Sequence, residues 1–434
     1  MNTVNVNTAA DITTVTWPGL TPRLLRTAAG VEELTEYQAA GGYQPLSDAD
    51  ALLEQIDLSG LQGRGGAAFP MAVKLRTLRD ASRRGQDTVL VANGEEGEPA
   101  SVKDRWLMRH RPHLILDGLR LAARIIGAQH AHVYVSDPQS ASSFESALEQ
   151  LGGTVDGLTV SIRIVAAGYV AGEETAAVRA INGGPAKPTD KPPRPFEEGV
   201  GGLPTQVSNV ETLAHLPYLH QHGSQAYRAE GTSGSAGTFL MTVTGAGQPG
   251  VLYEIPYGIA VTDLLERHGV PVDSVRGVLM GGYFAGLLNR EVLDATLDHE
   301  ALRRLGSGIG CGAISVITDE CAVAVAASVL SYFDRENAGQ CGSCFNGTAA
   351  MSAVADALRD GVATDEDLTR LERWSVVLRG RGACATLDAA ANIAASLLVK
   401  FPQEVARHLD GGCPDCGAEV FTAVRPYEVE ALST

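Results

Sequence analysis

Four of the seven cysteines in this chain fall into two C-x-x-C pairs. Cys341 and Cys344 stand in "ENAGQCGSCFNG", at the head of a helix-like run, and Cys413 and Cys416 stand in "GGCPDCG" near the C-terminus. Thiolates at such spacing hold iron–sulfur clusters or zinc. A cluster-building sequence would carry a further cysteine three residues before Cys341, and Ala338 occupies that place. "CPDCG" looks like half of a zinc ribbon, with two ligands where structural zinc needs four. That pair joins another site, acts as a dithiol, pairs with a second chain, or is two exposed tail thiols. Cys311 and Cys321 are expected in the core. An odd cysteine count in a long chain reads as reduced thiols in a cytosolic protein, not a disulfide framework.

A second chemistry lies in three loops. "GRGGAAFP" (63–70) is glycine-rich and feeds a helix N-terminus. Glycines let backbone N–H groups approach an anion, the helix end adds positive partial charge, and Arg64 and Lys74 add full charges. A phosphate or pyrophosphate is the natural ligand; a tight strand–helix turn is the plain alternative. "NGEEGEP" (93–99) crowds Glu95, Glu96 and Glu98 after a strand end. Carboxylates there suit ribose or ribityl hydroxyls, whereas a solvated acidic loop would need no ligand. "GYVAGEETAAVRAI" (168–181) repeats the arrangement with Glu173 and Glu174, which as first-turn acids could simply complement a helix dipole.

The elements that must position these loops alternate. "TVLVAN" (88–93), "AHVYVS" (131–136) and "VSIRIVAAG" (160–168) read as strands; 113–128 and 142–153 carry the helical period. Pro70 opens a further helical run through Val73, Leu75 and Leu78. This predicts an α/β unit with a largely parallel sheet. Residues 183–205 form a long loop rich in proline and glycine. From 236, two strands joined by the turn "AGQP", a helix and a returning strand fit a small β-grasp module to about 318. Helices are expected over 319–335, 345–360, 366–379 and 387–409, the last interrupted by Pro402. The expected divisions are an N-terminal segment (1–50), an α/β domain (51–228), the β-grasp domain (236–318), a helical bundle (319–410) and a cysteine-containing tail (411–434).

Composition bounds the partners. Hydrophobic residues make up 44% and charged residues 20%, enough for a sizeable core, and the net charge of −17 argues against non-specific nucleic-acid binding. The N-terminus shows no basic-then-apolar leader pattern. The longest apolar run, about 322–333, is too short to span a bilayer, so membrane association would come through a partner. The expected location is cytoplasmic.

Together "GRGGAAFPMAVK", "NGEEGEPASVKDR", "YVAGEETA", "KPPRP", "QVSNVETL" and "GQCGSC" occur in the order and approximate spacing of the flavin-bearing, NADH-oxidising 51-kDa-type subunit of respiratory complex I. The chain resembles that family, and the diaphorase subunits of hydrogenases and formate dehydrogenases, from about residue 35 to 410. The resemblance implies an α/β fold class: an FMN-binding Rossmann-like domain, a β-grasp (SLBB-like) domain and a C-terminal four-helix bundle. It implies that Gly63, Arg64, Gly65 and Gly66 line an FMN site, with Lys74, Asn93, Glu95 and Asn209 beside it. It implies that Glu98, Glu173, Glu174 and Tyr169 shape the nucleotide pocket, with Glu98 and Tyr169 as catalytic candidates and Phe69 as an aromatic platform. Hydride transfer is direct and needs no general base. Cys341, Cys344 and Cys384 would hold an iron–sulfur centre.

The sequence also departs from the pattern. With Ala338 in the first cluster position, a 4Fe–4S cluster could use a non-cysteine ligand, a 3Fe–4S cluster could form, Cys413 or Cys416 could swing in, or the cluster could be lost. Two aromatic positions are Thr77 and Arg194 here, and Arg194 could stack or meet a phosphate, which raises NADPH as the donor. The reading is an FMN-dependent NAD(P)H oxidoreductase subunit that passes electrons to a ferredoxin-like or membrane-reductase partner. A non-catalytic relay or scaffold subunit without NADH binding is the alternative.

Overall fold

The computed structural model describes residues 12–28, 30–411 and 413–417. The first sheet has four strands in the order Thr159–Ile164, His130–Val135, Val89–Asn93 and Thr205–Asn209, all parallel. Val89 to Ala92 are buried, which is why the central strand reads as one continuous apolar run. Parallel neighbours need a crossover, and Pro112–Ile126 supplies one. Pro112 sits in its first turn, and Gly127 ends it in the left-handed conformation at φ 77°. Thr205–Asn209 is a strand that the sequence pattern did not separate from the preceding loop.

From Val89–Asn93 the chain first builds outward on one side and later returns on the other. A crevice therefore opens at the carboxyl ends of Val89–Asn93 and Thr205–Asn209, where Asn93 and Asn209 are register partners. The helix Met71–Arg83 starts at the mouth of this crevice, and Pro70 is its extended N-cap (ψ 124°) rather than its first residue.

The second sheet has six strands in the order Thr13–Thr16, Gln248–Pro256, Thr238–Gly245, Ala313–Ile317, Gly277–Met280 and Leu287–Asn289. The hairpin turn is Ala246–Gly247, both at positive φ, so Gln248 and Pro249 belong to the strand and not to the turn. Thr13–Thr16, from the N-terminal segment, adds a parallel edge strand. The segment is anchored again where buried Glu254 accepts the N–H groups of Arg23, Leu24 and Leu25 at 2.9–3.2 Å.

After the last strand of this sheet the α-helices are Ala322–Glu336, Ala349–Arg359, Asp365–Val377, Thr386–Lys400 and Pro402–Leu409. They share a core that includes Val325, Leu330, Phe333, Met351, Leu358, Leu371, Ile393 and Leu397. The longest apolar run of the sequence is the buried helix Ala322–Glu336. Among the described residues no helix is long and apolar enough to cross a membrane.

Candidate functional site

The glycine loop is closed by its own backbone. Gly63 N–H donates to the Phe69 carbonyl and Met71 N–H to the Leu61 carbonyl, both at 2.9 Å. Gly66 has φ 105°, a conformation that favours glycine, and a Cβ there would crowd Phe284 Cζ at 3.0 Å. A Cβ on Gly65 would lie 3.3 Å from Asn209 Cβ, which places the loop against the end of Thr205–Asn209. Phe69 is 47% exposed and offers a free aromatic face at the rim. Lys74 donates to the Val207 carbonyl at 3.2 Å, which engages one of its three donors. Burial pushes its pKa down, with Glu174 opposing the shift and Lys191 adding to it. A desolvated ammonium beside a helix start fits the phosphate of FMN.

Arg64 behaves differently from the expectation of a free cation at the anion site. Its guanidinium is buried and donates to the Gln62 carbonyl (3.0 Å), Tyr227 hydroxyl (3.1 Å) and Thr238 carbonyl (3.2 Å). It also lies 3.8 Å from Glu211 and over the Tyr257 ring. Its charge is spent on the junction between the two sheets.

The two acidic loops interlock. Asn93 Nδ2 donates to the Gly172 carbonyl at 2.8 Å, and Glu95 accepts from Gly168 N–H at 3.1 Å. A Cβ on Gly97 would lie 2.6 Å from the Tyr169 carbonyl oxygen, and one on Gly172 would lie 2.8 Å from that of Glu95. Glu98 is buried and accepts from Tyr283 N–H at 3.0 Å. The Tyr169 ring meets Tyr332 and Phe333 edge-on at 5.9 and 5.1 Å, and the Tyr332 hydroxyl donates to the Gly97 carbonyl at 3.5 Å. Burial, then the charge of Glu98, pushes the Tyr169 phenol well above its ordinary value. The two catalytic candidates are therefore neighbours, one of them a phenol that keeps its proton.

Glu173 serves as a helix cap. It accepts Thr175 N–H at 2.8 Å and Ala176 N–H at 3.3 Å, and it pairs with Lys191 at 2.6 Å. Lys191 also reaches Glu174 at 3.4 Å. The dipole-complement alternative is the one realised for Glu173.

Sequence reasoning missed a buried charge cluster under Asn209. Lys103 Nζ lies 2.7 Å from Asp104 and 2.9 Å from Glu211. Asn209 Nδ2 donates to Asp104 at 2.6 Å, while Asn209 Oδ1 caps the next helix through Glu211 N–H at 3.0 Å. Glu96 accepts the N–H groups of Asp104 and Arg105, both at 3.1 Å, and the Ser101 hydroxyl at 2.7 Å. Desolvation pushes Asp104 up to about 7, with Lys103 opposing and Glu96 adding to the shift. The available signal was "VKDR", a lysine and an acid directly after the acidic loop.

Cys341, Cys344 and Cys384 line one small pocket, together with Ser343, Thr348 and Thr386. The Sγ atoms of Cys341 and Cys344 lie 3.6 Å apart. Ser343–Thr348 is a π-helical turn, which re-aims Cys344 relative to a regular helix. Burial raises the Cys341 thiol, but backbone N–H groups led by Ala383 outweigh it and hold the pKa below the ordinary value. These thiols fit a cluster with three protein ligands. Ala338 is buried, and its carbonyl accepts Lys187 Nζ at 2.8 Å. Gln340 Nε2 donates to the Pro188 carbonyl at 2.8 Å, so the proline-rich loop grips the cysteine loop. Cys413 and Cys416 do not complete this set, since they stand with Cys321 and His408. Cys321, expected as a plain core residue, is buried but belongs to that second group.

Comparison with known proteins agrees with this geometry. Residues 56–218 match the Nuo51 FMN-binding domain, and residues 324–408 match the NADH-ubiquinone oxidoreductase-F iron-sulfur binding region. The chain is 33% identical to the F 2 component of the NADH-quinone oxidoreductase of Rhizobium meliloti, over 87% of this chain and 94% of that protein. It is 29% identical to the NADP-reducing hydrogenase component HndC of Solidesulfovibrio fructosivorans, over 92% of this chain and 85% of that one. A crystal structure of an NAD+-reducing NiFe hydrogenase in the H2-reduced state superposes with a TM-score of 0.76 at 32% identity. That match covers 84% of this chain but 63% of the hydrogenase chain, so this chain spans less than two thirds of that neighbour's length. The chain belongs to the family of F-type flavoprotein subunits of NADH-quinone oxidoreductases, and it is an electron-transfer oxidoreductase subunit of that family.

Proposed function

We propose that NADH binds over the crevice at Asn93 and Asn209, and that electrons leave toward the pocket of Cys341, Cys344 and Cys384 and then to a partner protein. FMN, when bound, supplies hydride acceptance and single-electron release. Gly63, Gly65, Gly66 and Lys74 hold its phosphate, with Asn93, Glu95 and Asn209 at its polar edge. Glu98, Glu174 and Tyr169 shape the nucleotide side, and Phe69 stacks on the adenine. The observation that carries this reading is the contact chain from Asn93 through Gly172 to the aromatic cluster Tyr169, Tyr332 and Phe333, because Tyr332 and Phe333 lie on the helix that leads into the cysteine loop. In this reading the six-stranded sheet is a β-grasp (SLBB-like) domain over 236–318 with an added edge strand. The first four α-helices of 319–410 form a four-helix bundle with Pro402–Leu409 as a fifth helix beside it, and the α/β domain runs over 51–228. The tail beyond 417 lies outside the described residues.

The partner is an electron acceptor of ferredoxin-like or membrane-reductase type, and the complex is cytoplasmic, peripheral to a membrane where the partner is a membrane protein. Rapid mixing of NADH with FMN-loaded protein tests the route. Flavin reduction is expected in the wild type and in Cys384→Ser, followed by bleaching of the iron–sulfur absorbance in the wild type alone. An unreactive flavin in both, or identical iron–sulfur bleaching in both, contradicts the proposal.

A further inference from the structure

We propose that Cys321, His408, Cys413 and Cys416 bind one zinc ion in a closed structural site, separate from the centre at Cys341, Cys344 and Cys384, that fastens the C-terminal turn to the helical unit. One ligand atom from each of the four lies within 4.8 Å of the others. Cys321 Sγ is 3.2 Å and Cys416 Sγ 3.4 Å from His408 Nε2. Around tetrahedral zinc, with Zn–S of about 2.3 Å, two sulfurs stand roughly 3.8 Å apart, so small side-chain movements close the set. Three thiolates and an imidazole are a zinc donor set, and all four positions are filled by protein, as a structural rather than a catalytic ion requires.

The surroundings are built for it. His408 is buried, and its Nδ1 lies 3.0 Å from the Leu358 carbonyl. A carbonyl can only accept, so Nδ1 carries the proton and Nε2 presents its lone pair to the sulfurs, the tautomer a metal needs. Cys321 stands at the N-cap of the helix Ala322–Glu336, where the positive end of the helix dipole favours an anionic ligand atom. Arg276 bridges Glu404 at 2.9 Å and Asp415, between the two tail cysteines, at 3.1 Å. Glu404 in turn accepts Ala322 N–H at 3.1 Å. The turn thus meets the second sheet, the first bundle helix and the last helix at one point. On binding, the ion displaces the thiol protons to solvent.

The test is metal analysis of the full chain, purified without oxygen from medium supplied with both iron and zinc. About one zinc per chain is expected in the wild type, beside the iron. Cys413→Ser/Cys416→Ser should lose at least nine-tenths of the zinc and keep its iron. Cys341→Ser/Cys344→Ser should lose iron and keep zinc. Zinc-free wild type, zinc that follows Cys341 and Cys344, iron in place of zinc at the tail, or a Cys413–Cys416 disulfide in the freshly isolated protein would each overturn the proposal. Should the tail variant fail to fold, zinc that persists in Cys341→Ser/Cys344→Ser and is released stoichiometrically by a mercurial still supports it, and its absence there overturns it.

Discussion

Asn93 and Asn209 stand opposite each other at the ends of adjacent parallel strands, and each ties a different loop to the crevice. Asn93 holds the Gly172 carbonyl, and Asn209 holds Asp104 while capping the helix that starts at Val210. Replacing Asn209 by Ala removes the cap and leaves Asp104 with one partner fewer. A loss of about 1–2 kcal/mol of stability is expected, together with lower flavin content after purification. Denaturant melts and flavin release measure both; unchanged flavin content would argue that this edge does not face the cofactor.

Lys74 tests the anion site. Lys74→Met keeps length and apolar packing and removes the charge. FMN affinity should fall about tenfold or more, equivalent to about 1.4 kcal/mol, in a fluorescence titration. Affinity equal to the wild type would move the phosphate elsewhere.

Asp104 gives a pH signature. Its folded pKa, about 7, lies above the ordinary carboxylate value. The folded chain therefore holds a proton that the unfolded chain has released, and stability falls as pH rises from about 4 to about 7, then levels. The steepest slope is about 1.4 kcal/mol per pH unit, one proton's worth. Asp104→Asn should flatten that part of the curve; an unchanged slope would assign the proton to another group.

The rim residues set nucleotide preference. Phe69→Ala should raise the KM for NADH about two- to tenfold with little change in melting temperature, since the ring is exposed. Arg194 is also exposed. If it meets a 2′-phosphate, Arg194→Ala should lower kcat/KM for NADPH more than for NADH. Equal losses, or none, would contradict that role.

Ala338→Cys tests the three-ligand centre. The added thiol should raise iron content per chain and lengthen the life of the centre in air. A variant with the same iron content and air sensitivity would indicate that a non-cysteine ligand already completes the wild-type set.

The strands, the loops at their ends and the cysteine triad were legible because each signal is local: an apolar run, a glycine string, a C-x-x-C. The cluster of Lys103, Asp104, Glu96 and Glu211 was not, since a charged residue reads as solvent-facing until the fold brings its partners. Glu173 looked like a ligand and caps a helix, because the same acid satisfies either role. Cys321 and His408 are 87 residues apart. No spacing rule joins them to "CPDCG", so the half ribbon gained its other half only in three dimensions.

The central claim is that hydride from NADH enters at this crevice. Anaerobic titration of the FMN-loaded protein with NADH, following the flavin absorbance band, tests it most directly. The account predicts bleaching as NADH approaches the amount of flavin. A band that persists through excess NADH would contradict it.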